Sequence, residues 1–441
     1  MGYFDGPNAP YRDLTFADVN TPQAQQLAYR AAAEGITLLK NDGTLPMQIG
    51  SNMTIALIGD WANATTQMQG NYEGPPPYLH GPYYGANQTG ANVLMTNNPG
   101  GQGDPTTDNW LPIWDYAEQA DIIVYAGGMD LSVAEEGMDR HAIAWTGAQL
   151  DVIGELALYG KPMIVMQMGD QLDNSLIVQN PNISALMWGG YPGQDGGSAL
   201  WDIVTGKVAP AGRLPVTQYP STYVSQIPMT DMTLRPNATT GSPGRTYQWY
   251  QGEPVFEFGH GLHYTNFSVS FAEDSSSSMT YDISELTKDC NEQYMDRCPF
   301  KSIDVDVENT GSVTSDYVTL GFLAGRHGPE PYPNKRLRAY TRLHNITAGE
   351  SQTACLNMTL GSLARVDDDG NTVLYPGDYA LMIDTQPLAM MNFTLTGDAF
   401  TLDHWPQPPA AEYQEADYWF GGYGSAQREK LLEDGTVPIV P

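Results

Sequence analysis

Positive charge is scarce in this 441-residue chain: 20 Lys and Arg stand against 51 Asp and Glu, a formal net charge of −31. Such a surface repels phosphate backbones and anionic bilayers, which argues against nucleic-acid or membrane-surface binding. Long apolar runs are missing too; none approaches the roughly 20 residues that span a bilayer. No G-x-G-x-x-G opens a helix and there is no P-loop, so nucleotide binding lacks motif support. No His/Cys/Asp cluster has metal-ligand spacing, so the chemistry is expected to need neither metal nor cofactor. Met1-Gly-Tyr-Phe-Asp has neither a basic start nor an apolar core, so it does not read as a signal peptide. Cysteine is limited to three residues. Cys290 and Cys298 bracket a short loop and could form a local disulfide, which leaves Cys355 over.

What the chain does have is acidity spread along its length, the mark of a folded protein rather than an acidic tail. Nine Asn-x-Ser/Thr sequons occur, at Asn52, Asn63, Asn87, Asn182, Asn237, Asn266, Asn345, Asn357 and Asn392. Together with low lysine they favour an extracellular protein. At this length two or three domains are expected.

Residues 1–20, rich in Pro, Asn and Asp, read as a linker. Thr21-Pro22 is a helix start, a hydroxyl cap followed by proline at the first helical position. That helix is expected to run through Leu27, Ala31 and Leu38 to about Asn41. Thr54 to Gly59 is an apolar strand, followed by a long loop from Gly70 to Gly85 crowded with Tyr and Pro. Strands then recur at 122–126, 162–168 and 184–188, with helices at 146–158 and 196–205. Strands alternating with helices imply a mostly parallel α/β sheet with helices on both faces. From about Pro210 the texture changes. Ile303, Val305 and Val307 alternate, as do Val318, Leu320 and Phe322, then Tyr379, Leu381 and Ile383. Period-two segments separated by turns indicate an antiparallel all-β sandwich. The expected division is 21–225 for the α/β domain, 226–264 for a connecting segment, 265–400 for the sandwich and 401–441 for a tail.

The stretch with most chemical content is 121–140. An apolar strand ends at Gly127-Gly128, and the loop after it carries Asp130, Glu135, Glu136, Asp139 and Arg140. In open α/β sheets ligands bind beyond the carboxyl ends of the strands, so acidic groups there are candidate catalysts. The Tyr-rich loop at 70–85 could offer sugar rings a stacking surface.

At this point the sequence resembles glycoside hydrolase family 3. The residues that carry the likeness are A-A-E-G-I-T-L-L-K-N-D-G-T-L-P (Ala32 to Pro46), G-N-Y-E-G around Asn71, and E-G-M-D-R (Glu136 to Arg140). They continue with W-G-G-Y-P-G-Q-D-G-G (Trp188 to Gly197), A-P-A-G-R-L-P-V-T (Ala209 to Thr217), and Y-Q-W-Y with P-V-F-E-F-G-H-G-L (Pro254 to Leu262). The last two and the Trp188 motif are most similar to secreted fungal β-xylosidases. The resemblance implies an N-terminal barrel, an α/β sandwich and a fibronectin type III-like domain. A barrel needs about 250 residues, so 1–20 would be its linker remnant and the barrel itself is expected to lie outside this chain. The family's nucleophile is an aspartate on that barrel, so no residue here is expected to fill that role.

Retaining glycosidases work with two carboxyl groups roughly 5 Å apart. By resemblance Glu136 is the acid/base, protonating the leaving oxygen and then deprotonating water. Such an acid must be neutral, a state that burial by substrate and a neighbouring carboxylate supply. Glu135 is the rival. Neighbouring side chains on an extended loop point opposite ways, so only one can face the sugar, and the spacing to Asp139-Arg140 selects Glu136. Asp139 and Arg140 are expected to hold the loop through a mutual or neighbouring ion pair. Tyr72 and Glu73 are candidate sugar contacts, and His260 is expected to be structural. The expected activity is a retaining exo-β-xylosidase acting on β-1,4-xylo-oligosaccharides, with the barrel supplied in cis or in trans. The alternatives are an inactive fragment, or a β-glucosidase or α-L-arabinofuranosidase of the same family. An apolar face left by the barrel should promote association.

Overall fold

The computed structural model describes residues 4, 6, 11–97, 111–272, 279–288 and 290–406. Most of the tail at 401–441 and the Ser275–Ser278 run lie outside that set. In the α/β part, α1 (Pro22–Gly35) leads into β1 (Thr37–Asn41) and β2 (Thr54–Ile58). Next come α2 (Pro82–Asn87), β3 (Asn92–Thr96), α3 (Leu111–Gln119), β4 (Ile122–Gly128) and α4 (Gly147–Leu156). The series ends with β5 (Met163–Met168), α5 (Ser175–Gln179), β6 (Ala185–Gly190) and α6 (Gly196–Val204).

The strands form one sheet in the order β1-β6-β5-β4-β2-β3. All neighbours run parallel except β1, which pairs antiparallel with β6 at the edge. Period-two alternation sends Ile55, Leu57, Ile122, Val124, Ile164 and Met166 to one face, covered by α1 and α6. It sends Ala56, Ile58, Ile123, Tyr125, Met163 and Val165 to the other, covered by α3 and α4. Both faces are therefore buried, and the strands read as unbroken apolar runs.

The first helix departs from expectation. It stops at Gly35, and Thr37–Asn41 is a strand. Leu38 packs into one core and Leu39 into the other, a split that extended backbone makes and a helical stripe does not. The loop at 70–85 is also shorter than expected, because α2 begins at Pro82. The sequence reading passed over β3, α3 and α5, which are short.

The second domain contains β7 (Phe267–Phe271), β8 (Met279–Asp282), β9 (Pro299–Asn309), β10 (Ser315–His327), β11 (Arg336–Ile346) and β12 (Ser351–Thr359). It continues with β13 (Arg365–Val366), β14 (Thr372–Leu374), β15 (Gly377–Ile383), β16 (Ala389–Thr396) and β17 (Phe400–Asp403). A sheet β11-β10-β15-β16-β8 faces a sheet β12-β9-β7, and β13-β14-β17 forms a small third. Ile303, Val305, Val307, Tyr379, Leu381 and Ile383 all point into the shared core. One pair, β8 with β16, is parallel, a departure from the purely antiparallel reading. Cys290 and Cys298 are joined in a disulfide, and the exposed Cys355 thiol lies 2.8 Å from the Ser302 hydroxyl.

On β10, Tyr317 and Leu323 enter the sandwich core. Leu320 and Phe322 are buried on the other side, against the connecting segment. A Cβ on Gly259 would meet the side chains of Leu320 and Thr385, and Phe258 and Tyr247 pack their rings on Phe322. The joint is closed by charge. The Arg213 guanidinium donates to Asp384 Oδ2 at 2.8 Å, and the Tyr317 hydroxyl donates to the same oxygen at 2.6 Å. His260 is half-buried, with Nε2 3.3 Å from the Leu39 carbonyl, a structural position.

Candidate functional site

Renumbered from β2, the parallel strands follow a doubly wound order in which the chain leaves β2 on one side for β3 and returns on the other for β4. Ligand crevices open at the carboxyl ends of the two strands that flank such a reversal. Those strands are β2 and β4. The loop after β2 carries Tyr72 and Glu73; the loop after β4 carries Glu136.

The β4 loop is pinned at both ends. At its start the buried Gln149 amide clamps Gly128, accepting from the Gly128 N–H at 2.8 Å and donating to its carbonyl at 2.9 Å. At its end the Trp145 indole donates to Asn174 Oδ1 at 2.9 Å, and the Asp173 N–H to the Ile143 carbonyl at 2.7 Å. Close strand crossing requires glycine here. A Cβ on Gly128 (φ +139) would sit 2.0 Å from the Met168 carbonyl oxygen, and one on Gly169 (φ +71) 1.7 Å from that of Met129.

Between these pins the backbone doubles back. The Glu135 N–H donates to the Met138 carbonyl at 3.1 Å and the Met138 N–H to the Glu135 carbonyl at 3.0 Å. This is a two-residue hairpin, with Gly137 (φ +82) supplying the turn and Glu136 at its tip. The loop is thus not extended as expected. What separates the two glutamates is the turn, with Glu135 in the bridge and Glu136 on the tip. Both are exposed. Nothing in the described residues buries Glu136, so desolvation has to come from what covers it.

Arg140 does not pair with Asp139. Its Nε lies 4.0 Å from Asp170 Oδ2, just past β5, and its Nη1 3.4 Å from the Met129 sulfur. Asp139 is exposed and makes no ion pair among the described residues. Tyr72 is 78 % exposed with φ +58, and Glu73 is exposed beside it. Two cavities flank the carboxyl ends of β5 and β6. One, of about 800 Å³, is lined by Arg140, His141, Asp170, Gln171, Val216 and Tyr219 among others. The other, of about 820 Å³, includes Asp170, Gln171, Trp188, Tyr191, Arg213 and Val216. Glu136, Tyr72 and Glu73 line neither.

The sequence reading missed Asp170 and Tyr191. Burial pushes the Tyr191 hydroxyl up to about 12, with the Asp170 and Asp130 carboxylates adding to the rise. The rule that singled out 130–140, polar groups just past a strand end, also finds Asp170. Asp195, in the Trp188 motif, is buried and ties the Tyr72 loop down. It accepts from the Tyr78 hydroxyl at 3.0 Å and lies 3.1 Å from His80 Nδ1, and His80 is stacked between Tyr78 and Tyr84.

Among the described residues one group brings metal-ligand types together, Glu34, Asp316 and His344. Arg342 already fills it, with Nε 2.8 Å from Asp316 and 3.7 Å from Glu34. That group belongs to the domain joint, away from the crevice.

A doubly wound sheet joined to a β-sandwich, with an acidic hairpin at the crossover, is the architecture that comparison with known proteins recognises. Residues 36–264 match the glycosyl hydrolase family 3 C-terminal domain, and residues 319–386 the fibronectin type III-like domain. The chain belongs to glycoside hydrolase family 3. A probable exo-1,4-β-xylosidase of Aspergillus flavus is 46 % identical over 412 residues, covering 92 % of this chain and 51 % of the relative. One from Neosartorya fischeri is 47 % identical over 415 residues, covering 93 % and 53 %. A family 3 exo-β-xylosidase solved with a xylobiose aziridine activity-based probe superposes with a TM-score of 0.86 at 43 % identity, covering 93 % of this chain and 53 % of that one. A β-glucosidase from Listeria innocua shares the fold alone, with a TM-score of 0.71 at 18 % identity. The chain spans about half the length of the curated relatives it matches.

Proposed function

We propose that this chain supplies the acid/base half of a retaining exo-β-xylosidase that releases xylose from β-1,4-xylo-oligosaccharides. The observation that carries this reading is Glu136 on a two-residue hairpin past the carboxyl end of β4, a strand flanking the crossover, within the E-G-M-D-R pattern. Glu136 protonates the leaving glycosidic oxygen, then takes a proton from the attacking water. Arg140, anchored on Asp170, holds the hairpin base. Tyr72 and Glu73 meet the sugar from the loop opposite. The nucleophile comes from the family's barrel domain, in cis in a longer protein or in trans. Exposed Val216, Val224 and Met229, lining the cavity that Arg140 shares, suit a surface that such a domain covers. The division into 21–225, 226–264 and 265–400 goes with this reading.

An extracellular setting also fits. Eight sequon asparagines are exposed and the ninth, Asn237, is half-buried, so none is shut inside the core. No helix among the described residues is long and apolar enough to cross a membrane.

The test is hydrolysis of an aryl β-xyloside by this chain alone and combined with a family 3 barrel domain. The chain alone is expected to be inactive. Glu136→Gln should lower kcat of the combined protein by about 10²- to 10⁴-fold, with Glu135→Gln close to wild type. Vigorous turnover that survives Glu136→Gln sinks the assignment. Faster cleavage of an aryl β-glucoside or α-L-arabinofuranoside would move the substrate class.

A further inference from the structure

A cavity on the flank of the α/β domain takes no part in the proposed reaction. It holds about 420 Å³ across α1, α2 and α6, in the helical layer that covers one face of the sheet. Among the described residues, none that lines it also lines the two cavities at the ends of β5 and β6.

One wall of the cavity is a column of rings. His80 lies 3.8 Å from Tyr84, within 6° of parallel, and 4.4 Å from Tyr78. The column is held from several sides. Buried Asp195 bonds both Tyr78 and His80. The His80 N–H donates to the Gln194 carbonyl and the His80 carbonyl accepts from the Gly197 N–H, at 2.7 Å each. The buried Trp201 indole donates to the Pro82 carbonyl at 2.8 Å, which ties α6 to the start of α2. Tyr84 ends the column. His80 covers one of its faces, yet Tyr84 remains 41 % exposed, so the other face is open to a ligand.

Tyr29 adds a second fixed ring. Its hydroxyl donates to Asp202 Oδ2 at 2.7 Å, and Lys207 Nζ holds the other oxygen at 2.9 Å. Two carboxylates against one ammonium disfavour an anionic ligand. Gln26, Gln88 and Ser198 bring neutral amides and a hydroxyl to the same space. A preformed aromatic face with neutral donors and acceptors around it suits a ring with an apolar C–H face and hydroxyls at its edge. That ring is a pyranose.

We propose that this cavity is a carbohydrate-binding site, separate from the crevice, in which Tyr84 stacks on a sugar ring of a xylan chain. The choice of xylan rests on the β-xylosidase reading; the stacking site itself does not. Titration calorimetry of the full 441-residue chain with xylohexaose, beside cellohexaose, tests it. Xylohexaose should bind, Tyr84→Ala should weaken binding about tenfold, and Tyr84→Phe, which keeps the ring, should bind as wild type. Gln88→Ala, at an exposed amide, should weaken it several-fold and serves if Tyr84→Ala does not fold. No binding, or binding that neither Tyr84→Ala nor Gln88→Ala changes, overturns the site. Binding lost in Tyr72→Ala but kept in Tyr84→Ala belongs to the crevice and overturns it too. Cellohexaose bound more tightly than xylohexaose, with the same dependence on Tyr84, supports the site and overturns xylan as its ligand.

Discussion

The crossover crevice and the domain joint use charge in opposite ways. At the crevice Glu136, Asp139 and Glu73 are exposed, and the nearest ion pair, Arg140 with Asp170, is long at 4.0 Å. At the joint the half-buried Arg213 and the buried Tyr317 both bond Asp384, itself buried, with Lys335 to Glu257 and Arg342 to Asp316 nearby at 2.8 Å each. Both regions carry family motifs, and those at the joint supply Arg213 and Glu257 to its short ion pairs. At the crevice the β4 loop is hydrogen-bonded in its backbone and leaves its acidic side chains open.

Breaking the joint should cost most. Arg213→Ala strands the Asp384 carboxylate in a buried place and is expected to lower stability by about 3–5 kcal/mol. Glu136→Gln, on an exposed turn, should change it by no more than about 0.5 kcal/mol. Urea unfolding of both variants checks the contrast, and similar losses would erase it.

A pH scan sharpens the comparison from the sandwich side. Burial, then the charges of Arg336, Arg365 and Arg338, lower the His327 pKa to about 4, so the fold holds this imidazole neutral. Its ordinary value is about 6.5, so its contribution is complete above that pH and is lost as pH falls from about 6.5 towards 4. The loss is on the order of 3 kcal/mol. His327→Gln should flatten that limb of the stability profile; an unchanged slope would assign it to other groups.

The smallest effect expected of a buried group is at Asp195. Asp195→Asn weakens the bonds to Tyr78 and His80 and should cost about 1–2 kcal/mol. Because those bonds anchor the loop that carries Tyr72, limited proteolysis within 70–78 should quicken while α6 stays protected. Uniform quickening along the chain would show that Asp195 acts on the whole domain.

Much of this was legible beforehand where one physical signal dominates. Thr21-Pro22 did cap a helix, and the Thr21 hydroxyl accepts from the Ala24 N–H at 3.1 Å. The apolar runs of β2, β4 and β5 were read as strands because both of their faces are buried. Thr37–Asn41 was misread, since Leu38 and Leu39 serve two cores and local periodicity cannot show that. At the site the residue types were legible and the partners were not. Arg140 turns to Asp170, distant in sequence, because β4 and β5 end side by side.

The sequence by itself determined the two-domain class, the family and the glutamate worth testing, because these rest on local pattern and motif order. Only the tertiary structure decided that Glu136 caps a hairpin, that the glycine-rich motif at Phe258 is a joint, and that Arg140 turns to Asp170 rather than to Asp139. Those facts depend on which distant strands lie adjacent, and burial and pairing exist only once the chain has packed.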